Sequence, residues 1–275
     1  EKEFLYIEYA HPDKLFVPAD QLDRVQKYLN PGDTAPKVNR LTGNEWQKAI
    51  SKAREDARAF AQDLVKLYAQ RRTVQRRPFG PDTTWQGEME STFPWVETPS
   101  QMLAIRDTKR DLQGPNPMDR LICGDVGFGK TEVAIRAAFK VVQDNRQVAV
   151  LCPTTILSEQ HYRNFSERMA SFGTRLALLN RFRSASERQD VLKKLKAGEV
   201  DVLIGTHALL SNEIVFKELG LVIIDEEQKF GVKQKEVLKQ LRTEVDVLSL
   251  SATPIPRTLS MALMDIRQMS LINDP

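Results

Sequence analysis

Residues Gly124-Asp125-Val126-Gly127-Phe128-Gly129-Lys130-Thr131 follow the pattern G-x-x-x-x-G-K-[ST], the spacing at which a backbone can wrap a chain of phosphates. The glycines let consecutive N–H groups turn toward one anion, and a helix opening near Gly129 adds its positive end. In this role Lys130 is expected to reach the β- and γ-phosphates of ATP, and Thr131 to place its hydroxyl on Mg²⁺. A second group, Leu221-Val222-Ile223-Ile224-Asp225-Glu226-Glu227-Gln228, delivers carboxylates at the end of an apolar run. There Asp225 is expected to hold the water shell of Mg²⁺. Glu226 stands where a base polarises water in line with the γ-phosphate. Glu227 has no assignable role and is expected to be solvated.

These groups need a scaffold, and the pattern of apolar runs predicts one. Short strands are expected at residues 121–123, 148–152, 175–179, 202–205, 221–225 and 247–250, most of them separated by 10–20-residue helical patterns. Such alternation implies a parallel sheet covered by helices on both faces, with ligands at the carboxyl ends of its strands. Both motifs fall at such ends. So do three shorter ones: Pro153-Thr154-Thr155, Gly205-Thr206-His207 and Ser251-Ala252-Thr253.

Upstream the texture differs. Phe4-Leu5-Tyr6-Ile7-Glu8-Tyr9 and Leu15-Phe16-Val17-Pro18 read as strands around the turn His11-Pro12-Asp13-Lys14. Two strands do not make a stable domain, so either more precede residue 1 or these pack on the rest. Residues 44–77 read as one long helix, capped by Asn44 with Gln47 three residues on and ended before Pro78. Trp46, Ile50, Ala53, Ala57, Phe60, Leu64 and Leu67 form its apolar stripe. Lys48, Lys52, Arg54, Arg58, Lys66, Arg71 and Arg72 form a basic face, expected to be solvated, with a DNA- or partner-facing surface as the alternative.

Composition excludes several classes. At 41% hydrophobic and 28% charged residues, the 275-residue chain can bury a core and is not of disordered type. No apolar run reaches the length of a membrane span, and Glu1-Lys2-Glu3 begins no signal peptide. A formal charge of +3 means that any grip on a polyanion must come from a local surface. Cys123 and Cys152 read as small buried residues, which suits a cytoplasmic location. His11, His161 and His207 show no zinc spacing.

The order of the five motifs from 124–131 to Ser251-Ala252-Thr253 resembles superfamily 2 helicases and translocases over about residues 93–275, and implies a RecA-like lobe. The resemblance implies that Thr154, Thr155, Thr206 and His207 face nucleic acid, holding the sugar–phosphate backbone without reading bases. It also implies that Ser251 and Thr253 link the nucleotide state to that grip. Phe93-Pro94 and Thr98-Pro99-Ser100-Gln101 resemble an adenine-recognition element, with Phe93 stacking on the base and Gln101 bonding its edge.

A narrower resemblance is to the family of bacterial transcription-repair coupling factors. It is carried by residues 117–132, by Leu179-Asn180-Arg181-Phe182-Arg183-Ser184, by Lys229-Phe230-Gly231-Val232-Lys233-Gln234-Lys235, and by Thr253-Pro254-Ile255-Pro256-Arg257-Thr258-Leu259. Residues 1–43 resemble the end of that family's RNA-polymerase-interacting domain, a Tudor-like β-barrel. Residues 44–77 resemble its relay helix, and residues 78–275 its first motor lobe. The resemblance implies double-stranded DNA, the RNA polymerase β subunit and nucleotide excision repair proteins as partners of the whole protein. Because residue 1 is not Met and Pro275 closely follows Ser251-Ala252-Thr253, a piece of a longer chain is expected. It would lack the second lobe and its arginine finger, and so hydrolyse ATP weakly. The RecG family of fork-remodelling helicases shares much of the phosphate loop and the final stretch. It usually has a small residue where Phe128 stands. A RecG-like branch-migration lobe, and a mainly polymerase-binding scaffold, are the alternatives.

Overall fold

The computed structural model describes residues 3–8, 14–19, 21, 25, 51–52, 55, 69, 71, 73–252 and 267–274. The chain divides into two compact units, Glu1–Leu64 and Val65–Pro275.

In the first unit β1 (Phe4–Glu8) and β2 (Lys14–Pro18) pair antiparallel, Phe4 opposite Pro18 and Glu8 opposite Lys14. The cross-strand pair Tyr6–Phe16 brings two rings to 5.4 Å, a contact that favours this register. The hairpin expected from the aromatic runs is therefore present. Ser51, Lys52 and Glu55 in this unit, and Ala69, Arg71 and Thr73 in the second, are helical, and the backbone leaves the helix after Thr73. Residues 74–77 are not helical, so the helix ends short of the expected 77, and the remaining positions of the expected helix lie outside the described residues. Arg71 departs from the expected solvated face. It is buried and donates to the carbonyls of Pro117 and Met118 at 3.1 and 2.8 Å.

The second unit is built on seven parallel strands: β3 (Asp119–Gly124), β4 (Gln147–Leu151), β5 (Leu176–Leu179), β6 (Val202–Gly205), β7 (Leu219–Asp225), β8 (Asp246–Ser251) and β9 (Gln268–Ile272). Their order is β5-β6-β4-β7-β8-β3-β9. Six correspond to strands expected from the apolar runs. The seventh, β9, pairs with β3 at the sheet edge, and its mixed sequence Gln268-Met269-Ser270-Leu271-Ile272 gives little warning of it.

Side chains alternate across a strand, so each of β4 to β8 feeds two cores. Val148, Val150, Ile204, Ile223, Leu248 and Leu250 join one cluster with Ala104, Phe139 and Phe165. These three come from α2 (Pro99–Leu112), α3 (Lys130–Gln143) and α4 (Thr155–Met169). Ala149, Leu151, Leu203, Val222, Ile224 and Val247 face the other way, onto Leu195 of α5 (Ala185–Ala197) and Leu238 of α6 (Val232–Glu244). Helices thus cover both faces, as a buried parallel sheet requires. A short helix, α1 (Thr84–Ser91), lies before them, capped by the Thr83 hydroxyl.

At the amino end of the sheet, opposite the motif loops, Asp246 is buried beside Arg76. Arg76 Nη2 donates to Asp246 Oδ1 at 2.9 Å, and Nε stands 2.7 Å from Oδ2 at an angle too poor for a second hydrogen bond. The Met118 N–H donates to the same carboxylate at 2.6 Å. Burial nevertheless pushes the Asp246 carboxyl up to about 6, against the pull of Arg76 and the Met118 amide.

Candidate nucleotide and nucleic-acid site

All the motif residues that the structure describes sit along the carboxyl edge of the sheet, and the strand order sorts them. Thr206 and His207 follow β6, and Thr154 and Thr155 follow its neighbour β4. Asp225 and Glu226 end β7, Ser251 ends β8, and the phosphate loop leaves β3. The backbone-gripping candidates therefore occupy one half of the edge and the phosphate-side residues the other. Thr253 lies outside the described residues.

The loop has the conformation its composition demands. Gly127 and Gly129 hold φ of 88° and 77°, in the left-handed region that favours glycine. At Gly129 a Cβ would also meet Gln101 Nε2 at 2.6 Å, so a side chain there would displace the Gln101 amide. Asp125, Val126 and Gly127 are exposed, while Gly124, Phe128, Gly129, Lys130 and Thr131 are half-buried. Lys130 Nζ donates to the Gly124 and Asp125 carbonyls, both at 2.7 Å. Burial pulls its ammonium below the ordinary lysine range, while Glu226, Asp225 and Asp125 push it back up. The acidic pair and the lysine therefore feel each other's charge across the β3–β8–β7 edge.

Glu226 is held more tightly than its loop position suggests. Its backbone adopts φ 50° and ψ 54°, a left-handed geometry that costs a non-glycine residue about 1–2 kcal/mol. Two bonds hold it there: its N–H donates to Leu250 O at 2.9 Å, and its Oε1 accepts from Ala252 N–H at 2.8 Å. Gln228 Nε2 donates to the other carboxylate oxygen. The candidate base is thus bonded directly to the backbone of the Ser251-Ala252 segment. Glu227, expected to be solvated, is half-buried. It accepts from Ser249 Oγ at 3.2 Å and lies 3.8 Å from Arg267, which also binds Asp119 at 2.7 Å. The reason is that the chain turns back after Glu226 and lays Glu227 against β8.

Upstream of the loop, Gln101 works twice. Its Oε1 accepts from Thr98 N–H at 3.0 Å in a capping box, and its Nε2 donates to Phe128 O at 2.9 Å. An amide oxygen accepts two bonds and an NH₂ group donates two, so one of each remains for a planar base edge. Phe93 packs edge-on to Trp95 at 5.5 Å, with the guanidiniums of Arg136 and Arg168 at 5.4 and 5.5 Å from its ring. Those arginines are charge-matched: Arg136 and Arg168 both reach Glu132 at 2.8 Å, and Arg136 also binds Glu97. Arg136 holds the Glu97 carboxyl below the usual carboxylate range. Phe93, Gln101, Gly127, Gly129, Thr131 and Arg168 line one cavity of about 590 Å³, a size suited to a small-molecule ligand.

On the other half of the edge, Thr154 is exposed and its hydroxyl accepts from Leu157 N–H at 3.3 Å, capping α4. Thr155 is half-buried, Thr206 is buried and His207 is exposed. Cys123 and Cys152 are free and buried, as expected. Among the described residues no three His, Cys, Asp or Glu side chains converge as a metal site. A Mg²⁺ here would rest on Thr131, Asp225 and nucleotide oxygens, which suits a cation that takes few protein ligands. Also among the described residues, no helix is long and apolar enough to cross a membrane.

One contact escaped the sequence reading, which took His161 only as a histidine without zinc spacing. His161 Nε2 lies 2.9 Å from Asp225 Oδ2, both side chains buried. Nothing in the spacing of the three histidines points to it.

Comparison with known proteins gives consistent results. Residues 98–262 match the DEAD/DEAH box helicase family, and residues 1–29 match the CarD-like/TRCF RID domain. The chain is 50% identical over 274 residues to the transcription-repair-coupling factor of Bacillus subtilis (strain 168), covering all of this chain and 23% of that protein. It is likewise 50% identical over 283 residues to the transcription-repair-coupling factor of Mycobacterium bovis, again covering 23% of it. The chain therefore spans about a quarter of the length of these relatives. Among solved structures, RecG bound to a three-way DNA junction aligns at TM-score 0.68 and 34% identity over 82% of this chain and 31% of that one. A DUF1998 helicase, MrfA, bound to DNA shares the fold at TM-score 0.53 and 19% identity, over 73% of this chain and 31% of that one.

Proposed function

Because the chain belongs to the DEAD/DEAH box helicase family, we propose that it is the ATP-binding first motor lobe of a double-stranded-DNA translocase. In the reading we favour, that translocase couples transcription to repair by displacing stalled RNA polymerase. The observation that carries the motor is the Glu226–Ala252 bond, which ties the candidate base to the segment expected to report the nucleotide state. The observation that favours a polymerase-directed motor is the 50% identity to transcription-repair-coupling factors along the whole chain, residues 1–29 included.

In this mechanism the loop amides and Lys130 hold the phosphates, Thr131 and Asp225 hold Mg²⁺, and Phe93 and Gln101 hold the adenine. The Mg²⁺ supplies charge neutralisation at the transferred phosphoryl group. Glu226 accepts the proton of the attacking water, and Ala252 N–H keeps its carboxylate aimed. Thr154, Thr155, Thr206 and His207 contact the duplex backbone, and Ser251 and Thr253 relay between the two halves of the edge. Nucleotide excision repair proteins and the RNA polymerase β subunit are the partners of this reading, and a cytoplasmic location follows from it.

Lys130→Ala tests the nucleotide part. Losing one hydrogen bond to a charged group costs about 1.5–3 kcal/mol, or roughly 10–100-fold in ATP affinity. Equilibrium binding of a fluorescent ATP analogue reads this directly, and an unchanged affinity would remove Lys130 from the phosphate site.

A second reading, a RecG-like branch-migration lobe, is favoured by the alignment with the junction-bound structure. The two separate on substrate and partner. The favoured reading expects retention of the purified RNA polymerase β subunit on the immobilised full-length protein and no preference for forked over linear duplex. A strong fork preference without polymerase retention would reverse the choice. A scaffold role predicts polymerase retention without any ATP binding.

A further inference from the structure

We propose that His161 is a positioning residue for Asp225, donating from Nε2 to the carboxylate that faces the metal; this rests on the reading of Asp225 as a Mg²⁺-side group. His161 lies two helical turns beyond the Thr154 cap, on the stripe of α4 that carries Ser158 and Phe165, and all three side chains are buried. β4, whose end launches α4, is hydrogen-bonded to β7, whose end carries Asp225. The stripe therefore passes over the carboxylate, and His161 Nε2 meets Asp225 Oδ2 at 2.9 Å. The Phe165 ring closes the other side, edge-on at 6.2 Å.

The tautomer follows from the partner. A carboxylate only accepts, so the ring nitrogen 2.9 Å from Asp225 Oδ2 must be the one that carries the proton. The ring proton belongs on Nε2, where the Asp225 carboxylate accepts it. That bond occupies one lone pair of Oδ2 and restrains rotation of the carboxylate. Hydrogen bonds to a ligating carboxylate act in this way in metal sites generally, and their removal typically costs about 10–100-fold in metal affinity.

The experiment measures binding of a fluorescent ATP analogue to this chain as Mg²⁺ is titrated, for the parent, His161→Ala and His161→Gln. Expected is a rise of about 10–100-fold in the Mg²⁺ concentration for half-effect in His161→Ala, with affinity in chelator unchanged. His161→Gln, whose amide N–H reaches toward the same oxygen, recovers most of it. Nitrogen NMR of the parent's imidazole should show Nε2 protonated. A parent whose nucleotide affinity ignores Mg²⁺ would bring down the Asp225 reading and this inference with it. A Mg²⁺-responsive parent matched by His161→Ala overturns the inference alone. So does equal loss of affinity with and without Mg²⁺, or, whatever the variants' stability, a parent imidazole protonated on Nδ1.

Discussion

Replacing Glu226 by Gln is expected to slow ATP hydrolysis by about 10²–10⁴-fold, the range that general base catalysis supplies, while ATP affinity stays within about twofold. The geometry separates the two effects. The oxygen that accepts from Ala252 N–H at 2.8 Å survives in the amide, and the backbone bond to Leu250 O does not involve the side chain. The left-handed turn at position 226 therefore persists, and with it the neighbouring Asp225. What vanishes is the proton-accepting carboxylate and the negative charge that acts on Lys130. Single-turnover hydrolysis with the chain in excess over labelled ATP isolates the chemical step from product release. A loss below about tenfold would mean that another group activates the water, and a parallel fall in ATP affinity would mean that Glu226 organises the loop instead.

The second large effect is on stability. Arg76→Ala removes one partner of a buried ion pair, and the charge left behind costs about 3–5 kcal/mol at neutral pH. Asp246 would keep the Met118 N–H and the more distant charge of Arg71, and Arg76 also gives up its bond to Leu112 O at 2.9 Å and its place over the Phe79 ring. The pH dependence gives the test its sign. In the parent, burial pushes Asp246 up to about 6, above the roughly 3.9 of an unfolded chain. The native state then holds a proton that the unfolded chain has released. This group's stabilisation is complete below about pH 4 and declines as the pH climbs to about 6. Without Arg76 the native carboxyl keeps its proton to still higher pH. The penalty of the substitution should therefore be smallest in acid and grow as pH passes upward through about 6. Urea unfolding at acid and neutral pH measures both. A penalty under about 1 kcal/mol at neutral pH, or one that shrinks with rising pH, would show that the pair does not hold this end of β8. Arg76→Met with Asp246→Leu should recover most of the loss, since an apolar pair of similar volume carries no desolvation cost.

Both effects involve β8, and their visibility in the sequence differs sharply. The loop at 124–131 was legible because its demands are local: glycines for left-handed backbone, then a lysine and a threonine opening a helix. The six strands were legible for a similar reason, since each carries a run of apolar residues that a covered parallel sheet requires. β9 was not, because Gln268 and Ser270 break its apolar run, whereas the other edge strand, β5, is Leu-Ala-Leu-Leu. Arg71 misled because its helical spacing placed it on a basic face, whereas the Pro117 and Met118 carbonyls bury it.

The amino-acid sequence by itself determined which groups exist for the chemistry and that they fall at strand ends. It did so because turn geometry, helix starts and buried strands each constrain a few consecutive residues. Only the tertiary structure decided which of those groups meet. Gln101 reaches Phe128 across 27 residues, His161 reaches Asp225 across 64, and Arg76 reaches Asp246 across 170. The His161–Asp225 contact depends on β4 lying beside β7 in the order β5-β6-β4-β7-β8-β3-β9, which sets neighbouring strand ends side by side. That order is a property of how two hydrophobic faces are covered at once, and no local pattern encodes it.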